Sequence, residues 1–216
     1  MIKATNIEKS YGGEKVLHGV SLSVKDGEFV SIMGESGSGK TTLLNILAGF
    51  LLPDAGSVLW DGQEISKMNE KDITALRCEK MGFVFQSYQL IPTLNVKDNL
   101  LLPTILSKKY GAETENCAKR LIEELELSAL LEKYPDELSG GQCQRVAILR
   151  ALIPRPRTVI LDEPTGALDS RMEERVMALL SRINRENKTT VIQVTHSDRV
   201  AAYGSRTVLL KDGEIL

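Results

Sequence analysis

The chain has 216 residues, of which 42% are hydrophobic and 26% charged, and its formal net charge at pH 7 is -2. This length allows one complete α/β domain with its own core, and the composition is typical of a folded globular protein rather than a disordered one. Because the charge gives no broad basic field, we expect no nucleic-acid partner. The three cysteines contain no Cys-x-x-Cys pair, which favours reduced thiols without a metal.

The N-terminal part of the chain has the pattern of short strands. We predict strands over Ile2–Lys9, Ser21–Lys25 and Glu28–Met33, with turns at Gly12-Gly13 and Asp26-Gly27. Next come a helix over 40–48, a strand over 56–60 with a hairpin turn at Asp61-Gly62, a helix over 69–77 capped by Asn69, and a strand over 81–85.

Helical patterns then replace strand patterns from Gln86 to Tyr134, which predicts a helical lobe inserted into the domain. Within it, Cys117, Leu121 and Leu125 lie four residues apart, as expected of the buried stripe of a helix over 112–127. Strand patterns return at 158–161 and 189–194, separated by an amphipathic helix over 170–184. This alternation predicts parallel strands joined by a crossover.

The chain carries no apolar segment long enough to cross a membrane. Its longest nearly uncharged stretch, residues 41–53, falls short of the roughly 20 residues that a spanning helix needs. The segment from Met1 to Lys9 carries charges where a secretion signal needs an apolar core, so export is not expected. If the protein works at a membrane, another chain must span it.

A glycine-rich loop between a predicted strand and a predicted helix fits the G-x-x-x-x-G-K-[ST] pattern. It consists of Gly34, Glu35, Ser36, Gly37, Ser38, Gly39, Lys40 and Thr41, and Thr42 follows it. Such a loop points backbone N–H groups and a helix N-terminus at phosphate oxygens. Lys40 would then bridge the β- and γ-phosphates, and the Thr41 hydroxyl would bind Mg²⁺. A glycine turn without function is the alternative.

Two carboxylates end the apolar run Val159-Ile160-Leu161, as expected of a buried strand that delivers acids to the edge of a sheet. Asp162 would hold the Mg²⁺ shell, and Glu163 would polarise the attacking water. Adjacent positions send the two side chains in different directions, which suits separate roles on the metal and on the nucleophile. The alternative is a polar strand end without a catalytic role.

The pentapeptide Leu138-Ser139-Gly140-Gly141-Gln142 precedes a predicted helix that continues to Leu152. Ser139 is a good N-cap, and the two glycines expose backbone N–H groups. The pentapeptide therefore predicts a second anion-binding helix start, for which a plain helix cap is the alternative.

These motifs, together with Gln86 after a strand, Ala167-Leu168-Asp169 and His196, occur in the order of the ATP-binding cassette ATPases, the motor subunits of ABC transporters. The resemblance covers essentially the whole chain. It implies an α/β fold with a P-loop NTPase core, a mainly parallel sheet, an N-terminal antiparallel β region and an inserted helical lobe. Residues 1–216 would form one domain, with a core of 1–86 and 135–216 and a lobe of 87–134.

The resemblance also implies roles for single residues in binding ATP and Mg²⁺. Tyr11 resembles the aromatic residue that stacks on adenine, for which a strand-end tyrosine in a turn is the alternative. Gln86 resembles the residue that reaches the Mg²⁺ and the attacking water, and His196 the histidine that contacts the γ-phosphate. In the same way, Asp169 is similar to the acid that communicates between two subunits.

Ser139 and Gly141 match donors to the γ-phosphate of an opposing subunit. Since the chain has one phosphate loop and one pentapeptide, a head-to-tail homodimer would pair them into two sites that include Gly140 and Gln142. Cys143 and Leu149 depart from the family pattern, which commonly has Gln and a small residue there, but neither departure removes a phosphate contact.

The segments around Gln86, Leu94 and Gly166 resemble the group that includes lipoprotein-release, macrolide-export and antimicrobial-peptide-resistance systems. This implies an integral membrane permease as a partner and a cytoplasmic position at the inner face of the membrane. Transport and ATP-driven signalling of the cell-division type both remain open. The apolar residues Tyr88, Leu90, Ile91 and Leu94 would either pack beneath the lobe or receive a helix of the permease.

Overall fold

The computed structural model describes all 216 residues, which form two sheets and seven α-helices. The strands are β1 (Ile2–Tyr11), β2 (Glu14–Val24), β3 (Phe29–Met33), β4 (Ala55–Trp60), β5 (Gln63–Glu64), β6 (Met81–Val84), β7 (Thr158–Asp162), β8 (Thr190–Val194), β9 (Arg206–Lys211) and β10 (Glu214–Ile215). The helices are α1 (Lys40–Leu47), α2 (Glu70–Lys80), α3 (Val96–Leu106), α4 (Ala112–Glu124), α5 (Gly140–Leu152), α6 (Ser170–Asn187) and α7 (Asp198–Ala201). None of these helices has the length and the apolar character that crossing a membrane requires.

The larger sheet has six strands in the order β10-β9-β3-β8-β7-β6, and all neighbouring strands except β10 and β9 are parallel. Strands β7 and β8 are buried along their whole length, which explains why their sequences are continuous apolar runs rather than alternating ones. The predicted crossover is confirmed, because β7 and β8 pair in parallel and α6 connects them.

The smaller sheet is antiparallel, with the order β2-β1-β4-β5. Strand β2 is much longer than the predicted strand over 21–25, since it already begins at Glu14. The first half of β2 was not predicted because Gly19, with φ +80, interrupts the alternation of apolar and polar residues. Strand β1 likewise has irregular pairing between Ala4 and Ile7, around Asn6 with φ +49.

The hydrophobic core lies on both faces of the parallel sheet. Strand β7 shows the alternation of side chains: Val159 and Leu161 belong to the cluster that includes α5 and α6, whereas Ile160 belongs to the cluster with α1 and the antiparallel sheet. The parallel sheet is therefore the middle layer, and α1, which follows the phosphate loop, is buried between the two sheets.

Only helices occur between β6 and β7. The predicted helix over 112–127 is observed as α4, which ends at Glu124, and the predicted stripe of Cys117, Leu121 and Leu125 is buried. The lobe boundaries at 87 and 134 stay predictions, since helical structure continues through α5 to Leu152.

Asn99, which is fully buried in α3, fixes the segment before that helix. Its side-chain amide donates to the carbonyl oxygens of Ile91 (3.1 Å) and Leu94 (2.8 Å), and its Oδ1 accepts from the Ile91 N–H (2.8 Å). Tyr88 and Leu90 pack against the core cluster that includes α5. Packing beneath the lobe thus accounts for these two of the four apolar residues considered above.

The sequence indicated neither α7, β9 nor β10, and several predicted element ends differ from the observed ones. Helix α2 begins after the predicted cap Asn69, whose side chain accepts from the Asp72 N–H, but it runs three residues beyond Arg77 to Lys80. Strand β6 ends at Val84, one residue before the predicted end. Strand β9 has only two buried residues, Val208 and Leu210, and this short alternation gave too weak a signal.

Candidate functional site

The phosphate loop joins the end of β3, at Met33, to the start of α1, at Lys40. Glycine is required at Gly34 because a Cβ there would lie 2.0 Å from the carbonyl oxygen of Leu210. Gly39 is the N-cap residue of α1 and has φ +98, which glycine adopts without strain. The loop is therefore curled against the sheet, and the N-terminus of α1 opens on its concave side.

The Lys40 ammonium lies within this loop and has no carboxylate partner. Its Nζ donates to the carbonyl oxygens of Gly34 (2.8 Å) and Glu35 (2.6 Å). Carbonyl oxygens leave the positive charge uncompensated, so the loop combines a free cation with a helix N-terminus. Both features attract phosphate.

The carboxyl ends of β3, β8 and β7 meet at one edge of the sheet. In the register of the sheet, Val194 pairs with both Ile32 and Asp162. The residues that follow these strands are therefore neighbours: the phosphate loop after β3, Glu163 after β7, and Thr195-His196 after β8. This edge of the parallel sheet collects residues that lie far apart in the sequence.

Glu163 and His196 contact each other at this edge. Glu163 has φ +49, and its N–H donates to the Val194 carbonyl (3.1 Å). Its Oε1 lies 3.0 Å from Nδ1 of the exposed His196 ring. A carboxylate and an imidazole in hydrogen-bond contact beside a phosphate loop can orient and polarise a water molecule.

Asp162 is almost completely buried, with 3% of its surface exposed, and its Oδ1 has no hydrogen-bond partner. Burial raises the pKa of this carboxyl, and the charge of Glu163 raises it further, whereas the Thr41 hydroxyl and the Lys40 charge lower it. An unpaired buried carboxylate oxygen beside a threonine hydroxyl fits the oxygen ligands that Mg²⁺ prefers.

A cavity of about 590 Å³ contains most of the predicted site. Ten of the residues that the sequence assigned to the site line it: Ser36, Gly37, Gly39, Lys40, Thr41, Thr42, Gln86, Asp162, Glu163 and His196. The two regions that carry the phosphate loop and the carboxylates, over 120 residues apart in sequence, thus contribute to one space.

The other predicted residues lie outside the walls of this cavity. Gly34, Glu35 and Ser38 belong to the phosphate loop without lining the cavity, and Tyr11 is half exposed at the end of β1. Their contacts with a nucleotide stay predictions.

The pentapeptide also lies outside this cavity and starts α5. The Ser139 Oγ accepts from the Gln142 N–H, and the Gln142 side chain accepts from the Ser139 N–H (2.8 Å), which forms a capping box. Ser139 and Gly140 are exposed. Asp169 similarly caps α6 by accepting from the Met172 N–H (2.9 Å). The first turn of α5 is therefore ordered and accessible.

Six cavity residues were not predicted as site residues: Val16, Tyr88, Gln144, Gly166, Ala167 and Val194. Gln144 is 1% exposed, and its Nε2 has no hydrogen-bond partner. Its position between the buried residues Cys143 and Val146 places it on the inner face of α5. A polar residue on the apolar face of a helix was the available signal, and it was overlooked.

The two residues that depart from the family pattern are both buried in α5. The Cys143 thiol lies 3.7 Å from the Pro135 carbonyl oxygen, and burial raises its pKa. Leu149 belongs to the hydrophobic core. Both residues pack inside the protein, away from the exposed start of the helix.

A glycine loop at a helix start, a buried aspartate and a glutamate-histidine pair around one cavity define a P-loop protein that binds and hydrolyses nucleoside triphosphates. The family model of the ABC transporter matches residues 17–166. The chain belongs to this family, as an ATP-binding subunit, and it is an ATPase.

Individual relatives match the whole chain. It is 42% identical to the bacitracin export ATP-binding protein BceA of Halalkalibacterium halodurans, covering 87% of that protein, and 45% identical to the lipoprotein-releasing system ATP-binding protein LolD of Aquifex aeolicus, covering 96%. It is also 45% identical to the macrolide export ATP-binding/permease protein MacB of Campylobacter jejuni, but it covers only 34% of that longer protein.

A solved structure shows the same architecture. The dimeric post-hydrolysis state of the ATP-binding cassette MJ0796, bound to ADP and Pi, superposes with a TM-score of 0.93 at 42% identity, covering 100% of this chain and 96% of that one. The expected ABC ATPase fold is thereby confirmed.

We expect the substitution Asp162→Asn to raise the melting temperature of the nucleotide-free protein at pH 7. Because the folded-state pKa of Asp162 is raised, the folded protein loses stability as the pH rises through the interval from the unfolded to the folded pKa. The amide of the variant stays neutral, so the variant does not lose stability over this pH interval. Thermal unfolding between pH 7 and pH 4 should therefore show that the difference in melting temperature between the variant and the unsubstituted protein decreases as the pH falls.

The matched control for this measurement is Asp136→Asn, at an exposed position without a hydrogen-bonded carboxylate. It should change the free energy of unfolding by less than about 0.5 kcal/mol at any pH. A lower melting temperature for Asp162→Asn at pH 7, or a difference that does not depend on pH, would contradict the electrostatic account.

Proposed function

We propose that this chain is the motor subunit of a membrane transporter, which dimerises on ATP and drives a separate permease. The observation that carries the proposal is the division of the ATP-binding motifs between two places. Most of the phosphate loop, Asp162 and Glu163 line one cavity, whereas the pentapeptide, which belongs to the same chemistry, lies outside it with Ser139 and Gly140 exposed. A second copy can supply the missing half.

Glu163 is the group proposed to polarise the attacking water. Its position at the end of β7 and its contact with His196 Nδ1 (3.0 Å) support this role. His196 would orient the carboxylate and contact the γ-phosphate, Lys40 would neutralise the phosphate charge, and Gln86, which also lines the cavity, would reach the water. The expected chemistry is electrostatic stabilisation and positioning, which dominate phosphoryl transfer.

Mg²⁺ would be held by Thr41, Asp162 and Gln86. The Oδ1 atom of Asp162, buried without a partner, supports this assignment, and all three side chains line the cavity. When bound, the ion would neutralise charge on the phosphate oxygens.

The homodimer is proposed to be head-to-tail. In it, Ser139, Gly140, Gly141 and Gln142 of one protomer would face the γ-phosphate at the phosphate loop of its partner, with Asp169 near the interface and Tyr11 on the adenine. The exposed, capped start of α5 supports this arrangement. The similar cassette MJ0796 is dimeric, which supports the formation of a dimer.

A permease is the proposed second partner. Two groups of exposed apolar side chains flank the end of α2: Phe50 and Leu52 on one side, Ile105 and Leu106 at the end of α3 on the other. Arg77 of α2 stacks over the Phe50 ring, and the Lys109 ammonium donates to the Glu79 carbonyl oxygen (2.7 Å). Exposed apolar side chains of this kind support the docking of a segment of another protein.

The relatives are named for bacitracin export, macrolide export and lipoprotein release. We therefore propose that the transporter exports or extracts a lipophilic or peptide substrate and that this chain works on the cytoplasmic face of the membrane. ATP-driven signalling without a transported substrate, as in the cell-division branch, is the alternative. It would use the same ATP site, so the identity of the permease decides between the two.

The substitution Glu163→Gln should preserve ATP binding, lower turnover at least about 100-fold and accumulate an ATP-bound dimer, because only the polarising carboxylate is lost. Size-exclusion chromatography with and without ATP measures dimerisation, and phosphate release measures turnover. The control is Glu186→Gln, at an exposed position of α6. Unchanged turnover would overturn the role of Glu163, and an elution volume that ATP does not shift would overturn the dimer.

The substitution Leu106→Glu should release the protein from the membrane fraction of its native host and leave the ATPase activity of the purified chain within about twofold. Leu106 is 64% exposed, so a charge there costs little folding stability. Leu209→Glu, at an exposed apolar residue of β9, is the matched control and should leave membrane sedimentation unchanged. Equal sedimentation of the two variants would contradict docking at the end of α3.

A further inference from the structure

The loop after β6 contains two consecutive residues in the left-handed backbone region. Tyr88 has φ +61 and Gln89 has φ +48. For residues other than glycine this conformation costs roughly 1–2 kcal/mol each, and it persists only where surrounding contacts impose it. Gln86, the proposed ligand of the Mg²⁺ and the attacking water, lies two residues earlier in the same loop.

Arg150 contacts both of these residues from α5. One guanidinium nitrogen of Arg150 donates to the Gln89 carbonyl oxygen (2.6 Å), and another donates to the Tyr88 carbonyl oxygen (2.8 Å). Arg150 forms no ion pair, although burial lowers the pKa of its guanidinium. A partly buried cation without a carboxylate partner is costly, and the hydrogen bonds to the two carbonyl groups offset part of this cost.

The fixed loop reaches both the ATP cavity and the pentapeptide. Gln86 and Tyr88 line the cavity, and the Tyr88 hydroxyl lies 3.1 Å from the position that a Cβ at Gly140 would occupy. Arg150 belongs to α5, the helix that begins with the pentapeptide, and it lies near the other end of that helix. The two hydrogen bonds of the Arg150 guanidinium, called the fork below, thus connect the body of α5 to the loop that carries Gln86.

We propose that Arg150 is a positioning residue for ATP hydrolysis, whose fork holds the loop of residues 86–89 in its left-handed conformation and so places Gln86 at the cavity. The inference rests on the proposed role of Gln86. It assigns Arg150 no contact with ATP, so losing the fork should lower kcat while ATP affinity is maintained.

The test measures steady-state ATPase kinetics of the full chain together with nucleotide affinity. Arg150→Met should lower kcat at least tenfold and change KM and the ATP dissociation constant by less than about twofold. Arg150→Lys keeps the charge but should not restore kcat, because one ammonium cannot reproduce two parallel hydrogen bonds in a fixed fork. A loss of ATP affinity equal to the loss of kcat would overturn the inference.

A second-site substitution separates positioning from mere support of α5. Gln89→Asn places in the loop a residue that tolerates the left-handed region better, without disturbing the helix. In the Arg150→Met background it should recover kcat by about two- to fivefold. If Arg150 only stabilised α5, a substitution in the loop would recover nothing, and that result would overturn the inference.

A double-mutant cycle with Gln86→Ala distinguishes this inference from the proposed function. If Arg150 acts through Gln86, then Arg150→Met should cause less than a twofold further loss of kcat in the Gln86→Ala background. The control is Arg145→Met, on the same helix, whose guanidinium donates to the carbonyl oxygens of Leu125 (2.6 Å) and Gly141 (3.4 Å) and forms no hydrogen bond with residues 86–89. Its effect should multiply with that of Gln86→Ala.

Independent, multiplying losses for Arg150→Met and Gln86→Ala would overturn the positioning role alone. An unchanged kcat in Gln86→Ala would overturn the role of Gln86, and the positioning role with it. The turnover of the Glu163→Gln variant involves neither Arg150 nor Gln86, so it tests the catalytic role of Glu163 separately.

Discussion

The parallel pairing of β3, β8 and β7 is the constraint on which the site depends. Val194 pairs with Ile32 on one side and with Asp162 on the other, so the three loops after these strands leave the sheet at one edge. The phosphate loop, the two carboxylates and His196 come from three distant parts of the sequence. A shift by one residue in either pairing would turn Asp162 or Glu163 away from the phosphate loop. The burial of β7 and β8 on both faces gives this register its stability.

The electrostatics of the cavity are those of a site prepared for a polyanion and a cation. Lys40 carries a positive charge that only carbonyl oxygens contact, and Asp162 keeps an oxygen atom without a partner in a buried position. Each group is costly by itself, because a buried or unpaired charge is poorly solvated. ATP with a divalent ion would satisfy both. Helix α5 contributes to this arrangement twice, since its first turn is exposed for a partner while Arg150 and Gln144 lie beside the protomer's own cavity.

The sequence predicted the parts of the structure that local patterns determine. The glycine loop between a strand and a helix, the β-branched run before Asp162 and the cap at Ser139 each follow from a few neighbouring residues. The first half of β2 and the C-terminal strands were missed because long-range packing decides them. Gly19 breaks the pattern of β2 although β1 pairs along it, and nothing near Arg150 in the sequence indicates that its partners are the carbonyl groups of residues 88 and 89. Ten of the predicted site residues line the cavity. The contacts of Tyr11 and the pentapeptide with a nucleotide and a second copy stay predictions.

Mixing two inactive variants tests the central claim most directly, which is that each ATP site is shared between two copies of the chain. Lys40→Ala removes the phosphate-loop cation, and Ser139→Arg blocks the exposed start of α5 without burying the new charge. Each homodimer contains only defective sites, whereas a mixed dimer contains one site with an intact phosphate loop and an intact pentapeptide. The account predicts that ATPase activity, absent from each variant alone, appears on mixing and is greatest near equal amounts. Two folded variants that remain inactive at every ratio would contradict it.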